Sequence, residues 1–186
     1  MKVLKRFVLM LQFFTRLPIK VQIAANSSDF GKGLLFAPFI GLVIGAVLAI
    51  AAYGLLYIFP KDMVSAMVVV LYMVITGGLH LDGLGDTFDG IFSNRSKERI
   101  LEIMRDSRVG TNAVLAVFSV LLLDFAAFTQ INDEYYIRII LLMPMAGRIG
   151  SLVGAAASNY ARQGDGLGKS FIDFCGKKEL AWGLLI

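Results

Sequence analysis

An all-α fold is what this sequence predicts: a multi-pass helical integral membrane protein with further helices on its cytoplasmic surface. Three observations carry that reading. Of the 186 residues, 57% are hydrophobic and 17% charged, against about 45–50% and about 25% in soluble domains. Uncharged or nearly uncharged runs of membrane-crossing length recur along the chain, and roughly 20 apolar residues suffice for one helical crossing. Lys and Arg alternate between the segments flanking those runs as six, one, five, one and four. That alternation places residues 1–33, 80–112 and 158–179 in the cytoplasm by the positive-inside rule.

The elements follow in order. Residues 1–20 begin with a basic, short apolar stretch, with Lys2, Lys5, Arg6 and Arg16 flanking a core too short to span. No small-residue cleavage site follows, so an interfacial amphipathic helix is expected rather than a signal peptide. The first span is expected over about 34–59, the second over 63–79, the third over 113–131 and the fourth over 137–157, with another starting at 180. All belong to a single membrane domain, 1–186, with 80–112 as its cytoplasmic catalytic segment. Composition excludes a disordered chain, and the single cysteine, Cys175, excludes an internal disulfide framework. The net charge of +4 reads as topology signalling, so no nucleic-acid partner is expected; membrane lipid is, and homo-oligomerisation is left open.

The stretch GGLHLDGLGDTFDG (77–90) carries the chemistry. Asp82, Asp86 and Asp89 stand at i, i+4 and i+7, which puts them on one helix face. Carboxylates so close repel unless a cation lies between them, and hard oxygen donors favour Mg²⁺ or Mn²⁺ over zinc. A solvated acidic helix end is the plainer alternative, but acids at the end of an apolar span are a functional signal. His80, the one histidine, is a candidate general base or merely a polar residue at a helix end.

A second helical element is expected over 96–110, with Ser96 as N-cap and Gly110 as its stop. It carries Glu102 and Asp106 one turn apart, with Arg105 and Arg108 flanking the second acid. Exposed ion pairs would explain Arg99 and Glu102. Paired guanidinium groups beside a carboxylate–metal centre also match the needs of a diphosphate. The glycine-rich stretch 159–169, with Arg162 and Lys169, has the composition of a phosphate-contacting loop but not the P-loop spacing.

These motifs resemble the cobalamin synthase family, membrane enzymes with adenosylcobinamide-GDP ribazoletransferase activity. The resemblance rests on GGLHLDGLGDTFDG and RSKERILEIMRDSRVGT (95–111). FFTRLPI (13–19), GLLFAPFIGLVIGA (33–46) and YARQGDGLGKSFI (160–172) support it. It implies Mg²⁺-dependent transfer in which a hydroxyl of α-ribazole, or of its 5′-phosphate, attacks the cobinamide-side phosphorus of adenosylcobinamide-GDP and GMP leaves. It also implies Asp82, Asp86, Asp89 and Asp106 as metal acids, and Asp89, Asp86 and His80 as catalytic, with Asp89 first to take the hydroxyl proton. Arg105, Arg108, Arg95, Arg162 and Lys169 would then bind substrate. The implied location is the bacterial cytoplasmic (inner) membrane, with the active site facing the cytoplasm. Members of the family run longer than 186 residues, so the chain is expected to lack the last spans and a further glycine- and aspartate-containing motif.

Two other enzyme-or-carrier readings compete. CDP-alcohol phosphotransferases also use spaced aspartates at the end of membrane helices, but they follow Asp-Gly with Ala-Arg, whereas here Asp82-Gly83 leads to Gly85-Asp86. A cation transporter would distribute its acids along facing spans. A non-catalytic membrane fragment is the third alternative. Metal-dependent GMP release separates the transferase from the transporter and the non-catalytic fragment.

Overall fold

The computed structural model describes residues 2–185, and every regular element among them is helical. In chain order they are α1 (Lys2–Phe14), α2 (Ser27–Gly33), a 3₁₀ turn (Leu34–Phe36), α3 (Ala37–Leu55), α4 (Lys61–Thr76), α5 (Leu79–Ile91), α6 (Lys97–Ile103), α7 (Thr111–Gln130), α8 (Asp133–Ala157), α9 (Leu167–Phe174) and α10 (Lys177–Leu185). Three helical runs are long and apolar enough to cross a membrane: Ser27–Leu55, Thr111–Gln130 and Asp133–Ala157. A fourth crossing is available if α4 and α5, bent by 89° from one another, count as one broken span. The protein is thus an all-helical membrane protein. The contacts divide it into two compact units: one joins the chain up to Ile58 with the chain from Asn132 onward, and the other is Phe59–Ile131.

In the first unit, α3 packs along α8. Gly41 and Gly45 stand one turn apart on α3, and a Cβ on Gly41 would lie 2.5 Å from the Pro144 carbonyl oxygen of α8. A Cβ on Gly45 would collide with the Leu141 carbonyl. Small residues four apart let two apolar helices approach backbone to backbone, where dispersion must replace the missing hydrophobic drive. Ile40, Ile44, Leu48, Ile140 and Leu152 are fully buried around that seam. The amphipathic α1 turns Leu9, Met10 and Phe14 inward and is tied down by charge. Lys5 Nζ lies 2.5 Å and Arg6 Nε 3.3 Å from the two oxygens of Asp29. Asp29 also closes a capping box with Asn26 at the start of α2, which removes two orphan donors at once.

In the second unit, α4 ends where Gly77 and Gly78 both take left-handed conformations, φ 63° and 71°. Only glycine adopts two such residues in succession without a Cβ penalty, and the chain turns there into α5. The span expected to reach residue 79 therefore stops at Thr76. Ser96 caps α6, its hydroxyl accepting from the Arg99 N–H at 3.5 Å. The helix expected to run on to Gly110 ends at Ile103 instead. Asp106 is the reason: its carboxylate accepts the Arg108 backbone N–H at 3.1 Å, a local bond that competes with helix continuation. Gly110 is the N-cap residue of α7 rather than the stop of α6. At the far end of the unit, Lys61 Nζ donates to the Ile131 carbonyl.

Candidate functional site

The three acids of the motif lie on α5, the helix that begins just past the glycine bend. Their i, i+4, i+7 spacing brings them to a single cavity of about 510 Å³, wholly within the second unit. Its opposite side is apolar: Ala113, Val114, Val117, Phe118 and Leu121 from α7, and Met73 from α4. Asp82 is exposed, while Asp86 and Asp89 are half-buried. Close approach of the two helices sets the cavity's floor, since a Cβ on Gly85 would lie 3.1 Å from the Ala113 Cβ.

Asp89 has a structural task as well. Its Oδ2 accepts the Gly110 N–H at 2.6 Å and its Oδ1 the Ala113 N–H at 2.9 Å. Helix starts leave such N–H groups unsatisfied and carry partial positive charge, so an anion from a neighbouring helix is well placed there. Gly110 is required for the contact, because a Cβ would stand 2.5 Å from the Asp89 Oδ1.

Asp106 is not among the residues lining the cavity. Arg108 holds both of its oxygens, with Nε at 3.0 Å from each and Nη2 at 2.5 Å from Oδ2. This fork brings the Asp106 carboxyl down to about 2, with the Arg108 backbone N–H adding to the effect. The guanidinium is raised in return. Arg105 and Arg95 are exposed on the connections that flank α6, and the exposed His80 sits on the first turn of α5 outside the cavity lining. Arg99 and Glu102 form the expected exposed pair at 2.6 Å.

The remaining two candidates belong to the first unit. Lys169 is drawn to Asp165, 3.2 Å away on the preceding turn, which raises its pKa. It helps line a cavity of about 630 Å³ with Asn26, Ser27, Ser170 and Asp173. Arg162 is half-buried and does not line it.

Among the described residues, no three His, Cys, Asp or Glu side chains converge closely enough to hold a metal by themselves. Two carboxylates on one cavity are still a sufficient protein contribution for Mg²⁺, which keeps most of its shell for water and substrate phosphates. Asp82 and Asp86 fit that requirement. Sequence reasoning missed the α7 wall and the capping role of Asp89, although the break at Gly110-Thr111 ahead of an apolar run was a signal for a helix start.

Comparison with known proteins gives a consistent picture. A family model described as cobalamin-5-phosphate synthase matches residues 6–186. An adenosylcobinamide-GDP ribazoletransferase of Clostridium acetobutylicum is 53% identical over 98% of this chain and 72% of its own length. One from Acetivibrio thermocellus is 55% identical over the whole chain and 75% of its own length. One from Thermoanaerobacter sp. strain X514 is 39% identical over the whole chain and 74% of its own length. No solved structure matches.

Proposed function

The chain belongs to the cobalamin-5-phosphate synthase family, and from that premise we propose how it acts as an adenosylcobinamide-GDP ribazoletransferase of cobalamin biosynthesis. The observation that carries the proposal is that Asp82, Asp86 and Asp89 all line one cavity.

A hydroxyl of α-ribazole, or of its 5′-phosphate, attacks the cobinamide-side phosphorus of adenosylcobinamide-GDP. The new P–O bond forms as the bond to the bridging oxygen breaks, and GMP leaves with that oxygen. Asp89 takes the hydroxyl proton. Each of its oxygens accepts one backbone N–H and keeps a further lone pair, so the two bonds orient the carboxylate without exhausting it. His80 is the alternative acceptor. Asp82 and Asp86 would hold Mg²⁺, which when bound neutralises diphosphate oxygens and steadies the leaving group. Arg105 and Arg95 bind the diphosphate as exposed, forked donors. Arg108 is committed to Asp106 and shapes the connection that carries Arg105. Catalysis is then mostly positioning and charge stabilisation.

The alternation of Lys and Arg supports a site open to the cytoplasm in the bacterial inner membrane, with lipid around the apolar helices. The test is GMP release from membranes containing this chain, supplied with adenosylcobinamide-GDP, α-ribazole and Mg²⁺, with and without a chelator. Asp86→Asn is expected to abolish release while the protein remains in the membrane. Release that ignores the chelator would remove the metal from the mechanism, and an active Asp86→Asn would remove Asp86 from its ligands.

A further inference from the structure

The acid-lined cavity has two unlike sides. Among its described lining residues, Asp82, Asp86 and Asp89 are the only side chains with oxygen or nitrogen atoms. Everything facing them is hydrocarbon or thioether: Met73, Val114, Val117, Phe118 and Leu121. Resting on the transferase reading above, we propose that this apolar side receives the aromatic base of α-ribazole, and that Val117 and Phe118 set which bases the enzyme accepts.

The reaction brings three bulky groups to the phosphorus, and the cavity discriminates among them. A corrinoid macrocycle with its amide arms is far larger than a space of about 510 Å³ can enclose. A guanine base would fit by size, but its edge carries several donors and acceptors. The α7 side offers them no side-chain partner, and polar groups placed against hydrocarbon without partners are penalised. The base of α-ribazole is two fused rings bearing two methyl groups, with one ring nitrogen beyond the glycosidic bond. It matches a wall of branched aliphatic side chains, and Phe118 can meet the ring edge to face. Seating the base there leaves the ribose at the carboxylate side, where Asp89 takes the hydroxyl proton. A lipid acyl chain would satisfy the apolar side alone and would leave the three carboxylates unused.

Val117 is the residue to vary, because it is half-buried and its Cγ2 would lie 3.9 Å from a Cβ on Gly85. Val117→Phe and Val117→Ala are compared with the unaltered chain in membranes, by initial rates of GMP release. The nucleophiles are α-ribazole and the riboside of benzimidazole without methyl groups. Val117→Phe is expected to raise KM for α-ribazole about tenfold or more, the scale of a misfitted apolar pocket, and KM for adenosylcobinamide-GDP less than about twofold. The unmethylated riboside should suffer less from Val117→Phe, and Val117→Ala should weaken the preference for the methylated base. If Val117→Phe does not accumulate in membranes, Val114→Phe at an exposed position of the same wall gives the same comparison. An active enzyme whose KM for α-ribazole ignores both substitutions, or in which KM for the GDP-activated substrate rises instead, overturns the base assignment alone. An unaltered chain that releases no GMP overturns the transferase reading and this assignment with it.

Discussion

Gly85 of α5 and Ala113 of α7 approach so closely that a methyl group on Gly85 would stand 3.1 Å from the Ala113 Cβ. This contact fixes the distance between the carboxylate-bearing helix and the apolar wall it faces. Gly85→Val is expected to force the helices apart, with an overpacking cost of about 1–3 kcal/mol. Thermal unfolding in detergent should show the loss of stability, and GMP release should fall with it. A variant as stable and active as the parent would show that the cavity tolerates a wider floor.

Asp89 serves the start of α7 whatever else it does. Removing it in Asp89→Ala leaves the N–H groups of Gly110 and Ala113 without their acceptor, a cap loss of about 0.5–2 kcal/mol. Asp89→Asn keeps the shape but turns a donor toward one of those N–H groups, so it should also destabilise. Transfer and thermal stability measured together separate the two roles. Loss of a proton acceptor in Asp89→Asn lowers the rate at temperatures where the variant is still folded, whereas a purely structural Asp89 lowers the rate only as the fold is lost.

Arg105→Ala should raise KM for adenosylcobinamide-GDP roughly tenfold, on the scale of one charge-assisted hydrogen bond, and leave KM for α-ribazole nearly unchanged. Equal weakening of both substrates would make Arg105 a structural residue of the connection after α6.

Cys175, buried between α9 and α10, has its thiol pushed up to about 11, chiefly by burial, with the Glu179 charge adding. At pH 8 only about a thousandth of it is thiolate, compared with roughly a quarter for a free thiol near pKa 8.5. Maleimide labelling of the folded protein should therefore be at least about a hundredfold slower than after SDS denaturation. The raised folded value also fixes a sign. The thiol's contribution to stability is complete below the unfolded value near 8.5 and is lost as pH rises toward about 11. Rapid labelling at pH 8 would contradict the burial.

Helical class was legible because apolar runs of span length admit few alternatives. The three acids sharing a face were legible for the same reason, since helical spacing is a local property. The end of α6 was not. Asp106 and Arg108 looked like two more positions of a helix face, and only their mutual fork at 2.5–3.0 Å shows why the helix stops before them. Nor could the second task of Asp89 be read from spacing, because its partners lie 21 and 24 residues away. The apolar wall was hidden in another way. Val117 and Phe118 look alike in sequence whether they face lipid or a substrate.

The bend at Gly77 and Gly78 decides how the three acids are ranged relative to the axis of α4. On a straight continuation of α4, Asp82 and Asp89 would be separated by about 10 Å along the axis, at 1.5 Å per residue. Three carboxylates would then sit at three levels of a steep dielectric gradient. With α5 turned 89° from α4, a membrane normal drawn along α4 leaves all three at a common level. Under the proposed function, the diphosphate, itself too polar to sink, would engage the row from the side.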